Sequence, residues 1–196
     1  MKRFIISALT IFFMLSYSTY GEAQQRFKAA ALVGANINQI DGDDLIGFHH
    51  IGFQGGLKVY TVFTERWEMG LSILYTQQGS KASIDDFSLN YDKIQFNMIE
   101  VPVLVHFNEW KFKLGTGFSY ARMINYKVID VTGADISAFQ DYNSNIFSFI
   151  VETSLLVSEN LSFNLRWSRS LSNFQANSDN GKFLSRVIGL RAMYHF

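Results

Sequence analysis

Cysteine is absent from all 196 residues, which excludes a disulfide-stapled scaffold and any thiolate metal site. Proline occurs once, which suits a chain built mostly of paired strands, because proline cannot donate to a ladder. Charge of one sign is also missing. Basic and acidic residues number 17 each, for a formal net charge of zero. A nucleic-acid binder needs a basic surface to neutralise phosphates, so that class falls away. With 48% apolar residues the chain is not disordered. Its mean hydropathy of +0.05 is too low for a bundle of membrane helices. What it has in abundance is aromatic: 19 Phe, 9 Tyr and 3 Trp. The length suits one domain.

The start reads as a targeting segment. Met1-Lys2-Arg3 is positive, Phe4 to Leu15 is mostly apolar, and Gly21-Glu22-Ala23 places small residues at −3 and −1 of a cut after Ala23. The apolar run is shorter than the roughly 20 residues a membrane-spanning helix needs. Residues 1–23 are therefore expected to be a signal peptide and 24–196 the exported domain.

From Phe27 onward, eight segments alternate apolar and polar residues with period two, the signature of strands with two unlike faces. The segment at Leu161, Phe163, Leu165 and Trp167, interleaved with Ser162, Asn164, Arg166 and Ser168, is typical. Most segments reach the length a tilted strand needs to cross a bilayer. Short turns at 64–66, 108–110 and 158–160 alternate with long polar connections at about 38–50, 77–93, 125–144 and 173–184. That order fits an up-and-down barrel with both termini on the short-turn side. On the apolar face, Phe63, Trp67, Phe107, Phe112, Tyr194 and Phe196 lie at the short-turn ends, and Tyr75, Tyr120 and Trp167 lie near the long-loop ends. Two aromatic levels bracketing an aliphatic band match the interfacial girdles of membrane barrels. The expected fold is all-β, an eight-stranded antiparallel up-and-down transmembrane β-barrel. The competing arrangement, a soluble lipocalin-like barrel holding an apolar ligand, would turn the apolar face inward. Pro102, inside the fourth segment, is expected to mark a bulge.

Several stretches together resemble a known family. They are Val33-Gly34-Ala35-Asn36, Leu74 through Lys81, Ile99 through Val105, Leu114-Gly115-Thr116-Gly117, Leu165-Arg166-Trp167-Ser168 and the closing Tyr194-His195-Phe196. In order and spacing they are similar to the PorT-like, or "porin family", outer-membrane β-barrel proteins of Bacteroidetes. The resemblance implies an eight-stranded barrel in the outer membrane of a Gram-negative bacterium, with periplasmic termini, and no single biochemical role. The terminal Phe196, with Tyr194 two residues before it, resembles the signal read by the barrel-insertion machinery.

Two groups of charged residues stand out. Lys58, Glu152, Arg166 and Arg191 share the polar face about five residues above the short turns, with Glu100 slightly higher. They are expected to pair and fill the lumen; the alternative is a constriction gating a narrow porin. Arg122, Arg169 and Arg186 share the apolar face just beyond the upper aromatic level. There they are expected to meet lipopolysaccharide phosphates, for which the guanidinium fork is well shaped. Asp41-Gly42-Asp43-Asp44 lacks the distal Glu of a calcium loop. His49-His50 points to opposite sides of a strand, and no Gly-x-Ser-x-Gly or phosphate loop occurs. No catalytic residue, cofactor or metal is expected, although some small outer-membrane barrels are lipid A-modifying rim enzymes. The expected partners are outer-membrane lipids and lipopolysaccharide, the insertion machinery and a protein partner at the long loops. The expected role is anchoring or interaction through those loops.

Overall fold

The computed structural model describes residues 26–42, 47–83, 91–139, 141–176 and 182–196. The expected signal peptide, and Asp43-Asp44 of the acidic turn, lie outside them. The strands are β1 (Phe27–Asp41), β2 (His50–Val62), β3 (Trp67–Lys81), β4 (Lys93–Glu109), β5 (Phe112–Ile129), β6 (Asn145–Leu156), β7 (Leu161–Ser170) and β8 (Leu184–His195). Each pairs antiparallel with its neighbours in sequence, and β1 pairs with β8 to close the barrel.

Period two decides which face goes where. Along β7, Ser162, Asn164, Arg166, Ser168 and Ser170 are all buried in the lumen. The aliphatic positions face out: Leu57 is 62% exposed, Ile73 62% and Leu190 61%. An apolar collar around the whole barrel is far more than the scattered apolar residues a soluble surface carries, and hydrocarbon is the solvent that suits it. The lipocalin-like arrangement, with its apolar face inward, is not the one the chain adopts. Cross-strand aromatic pairs stiffen the collar near its edges. Trp67 and Phe107, direct ladder partners, have ring centroids 5.1 Å apart, and Tyr120 and Phe147 5.3 Å.

Three expectations change. Pro102 carries no bulge: β3 and β4 keep one register on both sides of it, and Pro102 itself pairs with Ser119 of β5. Only the Ser72 and Ile73 steps of the β3 ladder lack partners there, as expected when a donor is missing. The register shift lies between Asn97 and Met98, where β5 carries the extra residue Ile124. The strands also run further into the long connections than periodicity suggested, β5 ending only at Ile129. Finally, those connections are not wholly polar. Tyr142, Phe174 and Phe183 are buried, and they join Ile40, Ile94, Phe96, Met98, Ala121, Met123, Val128 and Ile146 in one apolar cluster at the long-loop mouth.

Candidate functional site

The lumen is layered, and each layer has its own chemistry. At the short-turn mouth lies a pocket of about 350 Å³ whose lining includes Tyr60, Glu68, Asn108, Lys113, Ser162 and His195. Glu68 accepts from Lys113, and from Asn108 at 3.2 Å. The Lys113 ammonium lies 4.5 Å from the centroid of the Tyr60 ring, while that of Lys58 lies 4.9 Å away. Ser162 Oγ and His195 Nε2 are 2.8 Å apart.

The charge belt comes next. Glu152 on β6 is its hub: Lys58 Nζ lies 2.6 Å from Oε1, His106 Nε2 3.0 Å from Oε1, and Arg191 Nη2 2.6 Å from Oε2. Arg191 also donates through Nε to Asn164 Oδ1 at 2.9 Å, and Asn164 donates to Ser154 Oγ at 2.8 Å. Glu100 on β4 pairs with Arg166 on β7 as a separate bridge. The five residues expected at this level are therefore all in the lumen, divided into a cluster around Glu152 and one pair. All are buried. Charges so placed cost several kcal/mol each in desolvation, which close geometry and shared hydrogen bonds offset. Two inward glycines make the space. A β-carbon on Gly115 would lie 2.5 Å from His106 Cδ2, and one on Gly70 2.7 Å from Lys58 Cε.

Above the belt the lumen is uncharged and polar. Gln54 donates to Thr76 Oγ1 at 3.1 Å, Asn38 to Asn36 Oδ1 at 2.5 Å and Ser185 to Gln78 Oε1 at 2.8 Å. The apolar cluster then seals the long-loop mouth. The Phe96 ring stacks on Phe174 at 4.9 Å and meets Tyr142 edge-on at 4.9 Å, and Tyr126 meets Tyr142 edge-on at 5.0 Å.

The three rim arginines do not converge on one point. Arg122 donates to Asn145 Oδ1 at 2.6 Å, an oxygen that also accepts from Tyr120 at 2.8 Å. Arg186 bridges to Asp41 at 2.7 Å. Arg169 and Arg186, however, are direct ladder partners of β7 and β8 on the outward face. Like charges placed opposite each other on a sheet repel. At the other end, the Tyr194 and Phe196 rings lie 5.5 Å apart, and Phe196 N–H bonds to Ala29 O at 3.0 Å.

Sequence reasoning missed His106, Asn164 and the Glu68–Lys113 pair. Their inward parity was legible, but bringing residues from β2, β4, β6, β7 and β8 to one level requires the register of the closed barrel. The two lumen glycines carried no signal of their own, because a glycine in a strand reads as a weak position until its neighbours are known.

Solved structures with the same fold include Ail, the attachment invasion locus protein of Yersinia pestis. It is 15% identical, with 87% of this chain and 99% of that one covered and a TM-score of 0.55. Another is the neisserial surface protein NspA, 12% identical, with 87% and 97% covered and a TM-score of 0.52. No curated protein sequence matches the chain. The family model described as the outer membrane protein beta-barrel domain matches residues 5–196. With nearly the whole chain matched and a closed eight-stranded barrel wearing its apolar face outward, the protein belongs to the outer membrane protein β-barrel domain family.

Proposed function

We propose that this outer-membrane barrel has a closed lumen and acts through the surfaces it presents at the long-loop end, as an anchor and an interaction partner. The observation that carries this reading is the double seal: a charge belt centred on Glu152 and, above it, the apolar plug of Phe96, Tyr142, Phe174 and Phe183. An ion entering from the short-turn pocket meets paired charges and then hydrocarbon-like packing, neither of which replaces its hydration shell. The test is planar-bilayer recording of the purified barrel. No stable conductance is expected; stepwise, ion-selective openings would establish the narrow porin instead. The motif order supports the PorT-like branch of Bacteroidetes proteins, with signal-peptide export and periplasmic termini. Tyr194 and Phe196 serve as the insertion signal in this reading.

The rim arginines support a second element of the same reading, contact with lipopolysaccharide. Arg169 and Arg186 face each other on the lipid side, and although Asp41 already pairs with Arg186, one phosphate has oxygens enough to bridge both guanidiniums. Arg122 is expected to make a separate contact. Replacing all three with Ala should weaken retention of lipopolysaccharide during purification, and unchanged retention would remove this element. The rim-enzyme alternative is tested by mass spectrometry of lipid A with and without the gene, where no change is expected.

A further inference from the structure

Above the upper aromatic level, the barrel wall is not even. Pairing of β2 with β3 stops at Gln54 and Thr76, and that of β5 with β6 at Arg122 and Asn145. β3 and β4 continue to Lys81 and Lys93, and β4 and β5 to Lys93 and Ile129. The three strands thus rise as a wing. Its inner side, through Ile94, Phe96 and Val128, belongs to the plug.

The outer side is mostly cationic and polar, with Ile124 and Ile129 as its apolar positions on β5. Lys81 and Lys93 are direct ladder partners, and Lys127, opposite Gln95, is one diagonal step from Lys93. Cβ atoms so placed lie about 5 Å apart directly and about 7–8 Å apart diagonally. Among the described residues, none of the three lysines has an ion-pair partner within bonding distance. Below them runs a ladder of hydrogen bonds between amides. Asn97 donates to Asn125 Oδ1 at 2.6 Å and accepts from Tyr75 and Gln95, each at 3.2 Å. No acidic residue occupies an outward position of the wing between the tyrosine level and its tip. Of the described acids at the tip, Asp130 and Asp135 are engaged by their own loop, while Asp92, next to Lys93, falls on the opposite parity. Asp130 accepts from Thr132 and Ala134, and Asp135 from Ser137. Those bonds hold both carboxyls below the usual range, Lys127 adding a smaller pull on Asp135.

Lys81 stands six residues beyond Tyr75 on β3. That is roughly 20 Å along the strand, or about 15 Å along the membrane normal at the tilt of such barrels. At that height the wing borders the sugars of the outer leaflet. We propose that the outer side of the wing is a docking face for the anionic, phosphorylated core saccharide of the glycolipid standing beside the barrel. The lysines pair with its phosphate or carboxylate groups, and the Asn, Gln and Tyr side chains exchange hydrogen bonds with its hydroxyls. The inference rests on the lipopolysaccharide contact proposed above only in placing that lipid next to the barrel. It uses different residues at a different height.

The test compares the full barrel with K81Q/K93Q/K127Q in three vesicle types: phospholipid alone, phospholipid with lipid A, and phospholipid with core-bearing lipopolysaccharide. The readout is the temperature at which the folded band is lost on gels. In the wild-type barrel, lipid A should raise this temperature, and the core should raise it further. The triple variant should match wild type in phospholipid, keep the lipid A increment and lose at least half of the core increment; the corresponding Lys→Arg variant should keep both. If the triple variant fails to fold, the three single variants are read in the same way, each losing part of the core increment. R169Q/R186Q should lose the lipid A increment alone, so failure of the rim reading and failure of this one are distinguishable. The proposal is overturned if core-bearing lipid adds nothing to wild type, or if the lysine variants keep the full core increment. A lysine-variant loss already present with lipid A overturns it as well. So does free core saccharide that stabilises the barrel as well as the anchored form, since the occupant would then come from solution.

Discussion

At the scale of single residues, Glu152 governs the lumen. Three side chains on three other strands, Lys58, His106 and Arg191, converge on its two oxygens. Removing the carboxylate leaves two buried cations without their acceptor, a far larger penalty than the net worth of the pairs themselves. Glu152→Ala is therefore expected to cost roughly 3–5 kcal/mol, measured as a shift in urea-induced unfolding in phospholipid vesicles followed by tryptophan fluorescence. A change below 1 kcal/mol would mean that water, rather than the barrel, satisfies the belt. Gly115 acts on the same hub from the steric side. Its missing β-carbon is where the edge of the His106 ring lies. Gly115→Ala must push that ring off Glu152 and should lose about 1–3 kcal/mol in the same assay, while alanine at the exposed Glu65 should change little.

At the scale of elements, barrel and plug are separable. The plug draws its inner wall from the extended ends of β4 and β5 and its cover from the loops that carry Tyr142, Phe174 and Phe183. Among the described residues, those loops are joined by Asn143 N–H to Phe174 O at 2.7 Å, Phe174 N–H to Phe183 O at 3.0 Å and Ala176 N–H to Asp141 O at 3.2 Å, and by the Asn143 side chain on the Asn173 and Gln175 carbonyls. Phe174→Ala removes a fully buried ring worth about 3–5 kcal/mol in a packed core. The loss should appear locally: hydrogen exchange at Asn143 and Phe174 should accelerate by about two to four orders of magnitude, while the β6 and β7 amides keep their protection. Equal acceleration everywhere would show that plug and barrel unfold together. The strands themselves were legible because alternation along Leu161–Ser168 or Trp67–Ile73 is strict and each face meets one solvent. The plug was not. Ile94, Phe96 and Met98 continue the polar-face parity of β4 with apolar side chains, and what covers them is a loop phenylalanine about eighty residues away in sequence. Likewise, parity placed Lys58, Glu100, Glu152, Arg166 and Arg191 on one face, but parity has no register. Only closure of β1 on β8 assigns Glu152 its three partners and leaves Glu100 to Arg166.

At the scale of the whole molecule, closure joins β1 to β8. The last strand must meet the first to remove both sheet edges, which hydrocarbon does not tolerate. In the finished barrel β8 pairs with β1 from Ala30–His195 to Asp41–Leu184, and the final Phe196 adds one more backbone bond, to Ala29. The Phe196 side chain does little to hold that closed state. It is 74% exposed on the outer face, where its one ring contact among the described residues is Tyr194. In the insertion-signal reading proposed above, a side chain that contributes little to the folded barrel acts before closure rather than after it. Phe196→Ala is thus expected to leave the unfolding midpoint of the refolded protein within about 0.5 kcal/mol of wild type, as for a surface substitution, and to slow appearance of the folded, heat-modifiable form in cells several-fold by pulse–chase. The same substitution should have no comparable effect on spontaneous folding into vesicles that lack the insertion machinery. If spontaneous folding slows equally, the ring acts on the strand-pairing step itself and the signal reading fails. If neither rate changes, closure proceeds from Tyr194 and the β8 ladder alone.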